Sequence, residues 1–179
     1  MTDLLSLAAD LSAARDDAPL PVERWNPERC GAMDLVIRAD GTWVHEGRPI
    51  ARSALVRLFS RVLRRDEGGF VLVTPAEKLE IEVEDAPFLA VDVDRTEAGY
   101  AFRTNVGDVV TAGPDHPLTV RPSEAAGTEV AYVLVRGGLE ARLSRAVWFR
   151  LLEEEAQTEE DGTVFVESGG TRFVLGRTT

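Results

Sequence analysis

Apolar Leu79, Ile81 and Val83 alternate with Glu80, Glu82 and Glu84, the period of a half-buried strand. Upstream, residues 35–38 read as a strand, Asp40-Gly41 as a hairpin turn and 42–45 as the return strand. Glu46-Gly47-Arg48-Pro49 is a second turn. Residues 52–65 follow as a helix, because Leu55, Leu58, Phe59 and Val62 recur on one face. Gly68-Gly69 ends it. Residues 70–73 form a strand that Thr74-Pro75 breaks. The second half predicts strands over 88–93, 100–104, 109–110, 118–120 and 130–135. A helix over 144–156 comes next, with Trp148, Leu151 and Leu152 inward, and then a hairpin of 164–166 and 173–175 around Gly169-Gly170. At the start, Leu4, Leu7, Ala8 and Leu11 predict a short helix over 2–14. The stretch 16–27 is a connector punctuated by Pro19, Pro21 and Pro27.

The two helical regions match at an offset of 93. Arg52 to Phe59 lies over Arg145 to Leu152 with both arginines coincident, and Gly69 and Val71 fall on Gly162 and Val164. The expectation is an α+β fold built by duplication of a hairpin-helix-strands unit, giving two small antiparallel sheets, each with a helix. Residues 1–24 are a helix and connector, 25–86 the first repeat domain and 87–179 the second. On this alignment Arg52 and Arg57 hold places equivalent to Arg145 and Arg150.

Charge narrows the function classes. The 179 residues carry 31 acidic and 20 basic groups, a formal net charge of −11. Residues 1–90 hold 16 acidic and 11 basic groups, and neither half is basic. Nucleic-acid binding needs a basic stripe, so no nucleic-acid partner is expected. A pocket can still be locally positive on an acidic protein, which leaves small anions open. One cysteine, Cys30, allows no internal disulfide and fits a reducing compartment. The N-terminus lacks a positive segment ahead of an apolar run, and no stretch approaches 18 apolar residues. The expected location is the cytoplasm, without a membrane partner.

Chemistry-bearing motifs are sparse. One Cys with His45 and His116 supplies no zinc-finger spacing, so neither metal nor cofactor is expected. Phosphate-cradling glycine loops and the GxSxG elbow are absent. The glutamates at 80, 82 and 84 read as a solvated face. Arg57, Arg61, Arg64 and Arg65 lie opposite the apolar stripe of the first helix and read as solvated in the same way.

Several runs carry a likeness to a known family. They are Cys30-Gly31-Ala32-Met33-Asp34-Leu35, the stretch from Asp40-Gly41-Thr42-Trp43 to Arg48-Pro49-Ile50, and Leu55-Val56-Arg57-Leu58-Phe59-Ser60. Leu72 to Lys78, Val83 to Phe88, Thr104-Asn105-Val106-Gly107-Asp108 and His116-Pro117-Leu118 extend it. In combination they resemble the bacterial domain-of-unknown-function family 1285, from about Trp25 onward. The resemblance implies a duplicated core and a second half superficially like a pleckstrin-homology domain. It also implies a nucleotide-like ligand at the domain interface and a part in signal transduction. It brings no catalytic residues.

The leading expectation is a ligand-binding or regulatory protein rather than an enzyme, with a small anion held between the two repeats. Arg103, Arg142 and Lys78 are the candidate charge-assisted donors. Asn105, His116 and His45 are the candidate polar contacts, and Trp43 or Phe88 would stack on a ring. The rivals are a hydrolase or transferase using His116 or His45 with a carboxylate, and a protein-interaction module with a protein partner.

Overall fold

The computed structural model describes residues 8, 9, 11 and 19–178. Most of the helix expected over 2–14 lies outside the described residues. Ala8, Ala9 and Leu11 are helical, and Leu11 is buried.

The first unit begins with a short 3-10 turn, Val22–Arg24. Strands β1 (Cys30–Ile37), β2 (Trp43–His45) and β3 (Arg48–Pro49) then form an antiparallel meander. Helix α1 (Ser53–Ser60) separates them from a second meander, β4 (Leu63–Asp66), β5 (Gly69–Val73) and β6 (Lys78–Val83). The two meanders join through their central strands. β1 and β6 pair in parallel, with Cys30 opposite Lys78 and Ile37 opposite Val83. The sheet order is β3-β2-β1-β6-β5-β4. Leu35, Ile37, Trp43, Phe59, Val62, Leu63, Leu72 and Val73 are almost wholly buried. Each such side chain contributes about 1.5–3 kcal/mol over its exposed state, so this apolar set is the main force holding the sheet and helix together.

In the second unit, β7 (Phe88–Thr96), β8 (Gly99–Thr104) and β9 (Val109–Thr111) form one meander. β10 (Leu118–Ser123), β11 (Thr128–Arg136) and β12 (Leu139–Leu143) form another. β12 pairs with β7 in parallel, and the order is β10-β11-β12-β7-β8-β9. Helix α2 (Arg145–Arg150) follows, with the Ser144 hydroxyl accepting the amide of Val147 at 3.3 Å. A π-helical turn, Leu151–Glu155, continues it. A three-stranded sheet of β13 (Gln157–Thr158), β14 (Thr163–Ser168) and β15 (Thr171–Arg177) closes the unit. By contacts, residues 39–41 count with this second unit and 42–84 with the first.

The α+β expectation is overturned. Strands account for 50% of the structure and helix for 15%, in three sheets. The two short α-helices do not each cover a small antiparallel sheet. Each six-stranded sheet is mixed, with a parallel pair at its centre. The pleckstrin-homology-like expectation for the second half falls with that fold class. The duplicated element is also not hairpin-helix-strands. Numbered from its own first strand, each sheet runs 3-2-1-6-5-4, so the sheet is what repeats. α1 sits between the third and fourth strands of its unit, whereas α2 follows the sixth. Arg52 and Arg57 therefore do not correspond to Arg145 and Arg150. The match at offset 93 reflects the shared stripe of two amphipathic helices.

Candidate functional site

The first unit carries a cleft of about 520 Å³ beside the β2–β3 hairpin and the start of α1. Glu46 and Gly47 form the hairpin's two-residue turn, with φ of 47° and 73°. Positive φ at both central positions suits the twist of the flanking strands, and Gly47 takes it without steric cost. The register then sets His45 opposite Arg48. Four residues later Arg52 occupies the N-cap of α1, extended and without a side-chain cap. Its carbonyl accepts the amides of Leu55 and Val56, and the amides of Ser53 and Ala54 precede the first helical bond. One end of the cleft therefore gathers His45, Arg48 and Arg52 near a helix start, with Glu46 at the rim. Pro49, Ile50 and Leu55 form an aliphatic wall.

The state of these charges sets the cleft apart. Most described arginines are engaged: Arg64 with Asp66, Arg121 with Glu140, Arg142 with Asp85, Arg172 with Glu159. Among the described residues, Arg48 and Arg52 have no ion pair and no ring contact, and both are exposed. Arg24, Arg38 and Arg57 are likewise without a carboxylate, but Arg48 and Arg52 line one cleft together. His45 Nδ1 lies 2.8 Å from the Asp34 carbonyl. A carbonyl only accepts, so Nδ1 carries the proton and Nε2 is left as the acceptor of the neutral ring.

A second polar cluster, in the other unit, is paired internally. The Asp85 carboxylate accepts the Tyr132 hydroxyl at 2.8 Å and the Ser123 hydroxyl at 3.1 Å. Arg142 Nε approaches the same carboxylate to 3.0 Å, yet its N–H is not aimed at the oxygen, so the contact is an ion pair without a hydrogen bond. Arg142 Nη2 donates to the Ala39 carbonyl at 2.7 Å. Arg121 lies 3.5 Å over the Tyr132 ring while holding Glu140 bidentately. Burial foremost, with help from Asp85, pushes the Tyr132 phenol up. Tyr132 and Ser123 are buried and the charged members are paired with one another, so this network braces the sheet.

The eight expected ligand contacts are dispersed. Only His45 lines the cleft. Trp43 is core, its indole N–H buried without an acceptor among the described residues. Lys78 pairs with Asp66 at 3.1 Å. Phe88 is buried beneath the Arg136 guanidinium. Arg103 is exposed and 3.9 Å from Asp94. His116 Nδ1 donates to the Leu134 carbonyl at 2.9 Å. Asn105 accepts the Leu89 amide and donates to the Gly41 carbonyl, so it and Arg142 both anchor residues 39–41. Arg48 went unremarked as a contact because a turn residue gives no sign of whether it will be paired. No group of three or more His, Cys, Asp or Glu is arranged for a metal ion among the described residues, and no described helix is long and apolar enough to cross a membrane.

Comparison with known proteins agrees at the family level. The model of the DUF1285 N-terminal domain (domain of unknown function) matches residues 20–86, and that of the DUF1285 C-terminal domain matches 87–175. A crystal structure of a DUF1285 family protein from Silicibacter pomeroyi DSS-3 is 41% identical. It covers 99% of this chain and 96% of its own, with a TM-score of 0.88. A DUF1285 family protein from Shewanella baltica OS155 is 25% identical, covering 68% of this chain and 92% of its own, with a TM-score of 0.56. No curated protein matches.

Proposed function

The chain belongs to the DUF1285 family, and on that premise we propose that it is a non-catalytic binding protein taking a small anion in the cleft of its first unit. The observation that carries this reading is the pair of unpartnered guanidiniums, Arg48 and Arg52, lining one cleft of an otherwise acidic protein. Unpaired arginines are preorganised donors for carboxylate or phosphate oxygens. The α1 start adds the positive end of a helix dipole. His45 and Glu46 are the base and acid of the cleft lining, which contains no Ser, Thr, Cys or Lys side chain to act as a nucleophile beside them. That favours holding a ligand over transforming it. Such a module reports the presence of its ligand, as a regulatory or signalling component does. The exposed thiol of Cys30 fits a reducing cytoplasm.

The test is calorimetric titration of the full chain with acetate, octanoate, phosphate, citrate and AMP, the last representing nucleotide-like ligands. At least one should bind, and Arg48→Ala/Arg52→Ala should weaken it tenfold or more. Both positions are exposed, so stability should hold to within about 0.5 kcal/mol. Arg38→Ala/Arg57→Ala, two exposed arginines away from the cleft lining, is the charge-matched control. Equal loss in that control would reduce the effect to diffuse electrostatics and refute the site.

A further inference from the structure

We infer that the ligand of this cleft is a soluble aliphatic carboxylate, an anion with a single charge and an apolar body; this rests on the anion-binding reading above. Three features converge on it. The first is the charge of the lining. Two guanidiniums and the Glu46 carboxylate leave a fixed charge of plus one, which a singly charged head neutralises and a dianion overshoots. A planar carboxylate also matches the guanidinium fork in a bidentate pair.

The second is the wall. Pro49, Ile50 and Leu55 turn aliphatic surface toward the same space as Arg48 and Arg52. Ile50 and Leu55 are half-buried, so each keeps apolar area open to water in the free protein. A ligand that is charge alone leaves that area wet. One with an aliphatic tail covers it, and each methylene so placed is worth up to about fourfold in affinity. Apart from the His45 imidazole the lining holds no aromatic ring on which a planar base would stack. The third is the scale of the cleft, about 520 Å³, within the usual range for small-molecule sites. A membrane source of the same chemistry is disfavoured by the net charge of −11, which repels an anionic lipid surface.

The experiment compares acetate, octanoate and octan-1-ol as probes of the full chain by calorimetry, below the concentration at which octanoate self-associates. Octanoate should bind at least tenfold tighter than acetate, and octan-1-ol should not reach octanoate's affinity. Arg48→Ala/Arg52→Ala should abolish the octanoate signal. Leu55→Ser, checked for folding by circular dichroism, should erase the advantage of octanoate over acetate while leaving acetate binding in place. Equal affinity for acetate and octanoate, both lost in the arginine variant, would overturn the aliphatic inference and leave the anion site standing. Failure of every anion, with phosphate, citrate and AMP included, would overturn both. Octanoate binding that survives loss of the arginines would place it elsewhere and overturn the inference. Co-sedimentation of the protein with phosphatidylglycerol vesicles would overturn the soluble source.

Discussion

Replacing Arg64 with alanine should open the first unit locally, by an amount the geometry bounds. The Arg64 side chain is 7% exposed and its guanidinium makes four hydrogen bonds. Nε and Nη2 hold the Asp66 carboxylate at 2.6 and 3.1 Å. Nη1 donates to the carbonyls of Val22 and Trp25 at 2.9 and 2.8 Å, tying the 3-10 turn and its exit to β4. Hydrogen bonds to charged groups are worth about 1.5–3 kcal/mol each in favourable cases. Asp66, however, is a quarter exposed and keeps Lys78 at 3.1 Å, so solvent screening brings the loss of its link nearer 1 kcal/mol. The two abandoned carbonyls add about 1–2 kcal/mol. A total of about 2–3 kcal/mol corresponds to a thirtyfold or greater rise in local opening. Hydrogen exchange read by mass spectrometry on peptides spanning 20–29 and 61–73 measures it directly. Acid provides a second reading. The Arg64 guanidinium, then Lys78, holds the Asp66 carboxyl below its ordinary range. A depressed carboxyl contributes fully above the unfolded value near 4 and loses that contribution as pH falls through the folded value. Protection in these segments should therefore decline below about pH 4 in the wild type, and less steeply in Arg64→Ala. Exchange unchanged within threefold at neutral pH would refute the claim that Arg64 secures the turn.

Two further changes probe the second unit. Tyr132→Phe removes the hydroxyl on Asp85 but leaves the ring beneath Arg121, so urea denaturation should show a loss of about 1–2 kcal/mol; an unchanged midpoint would mean that Asp85 does not depend on that bond. Gly169→Ala should lower Tm by about 5 °C or more in a thermal melt, because at φ 55° an added Cβ would lie 2.7 Å from the Ala112 carbonyl oxygen and 2.9 Å from Gly113 Cα; a wild-type melt would show that the hairpin shifts freely there.

Local chemistry made most of the strands and turns legible, though β3 reads in the sequence as part of a turn and β4 as helix. Alternation over 79–83 marked β6, and Asp40-Gly41 marked the first hairpin, because both signals act within a few residues. The helix expected over 52–65 ends at Ser60 instead. Val62 prolongs the apolar stripe, but Leu63 to Asp66 pair with Leu72 to Gly69, and a full ladder outweighs a weak helical preference. The parallel pairings of β1 with β6 and β7 with β12 left no local trace, since they join residues some 45–55 apart along the chain. For the site, His45 was identifiable by type. The value of Arg48 and Arg52 lies in lacking partners, and partnership is set by the sheet: Arg121 meets Glu140 only because β11 brings their two strands together.

The central parallel pair also decides how the first unit bears mechanical load. Tension entering ahead of Cys30 and leaving beyond Val83 pulls β1 and β6 in opposite senses along their shared axis. The ladder between them is then sheared as a whole, and its bonds carry the force together. A hairpin pulled from its two ends peels open one bond at a time. The unit's edge strands, β3 and β4, lie off that line of force, so the strands that must give way first are the ones with neighbours on both sides.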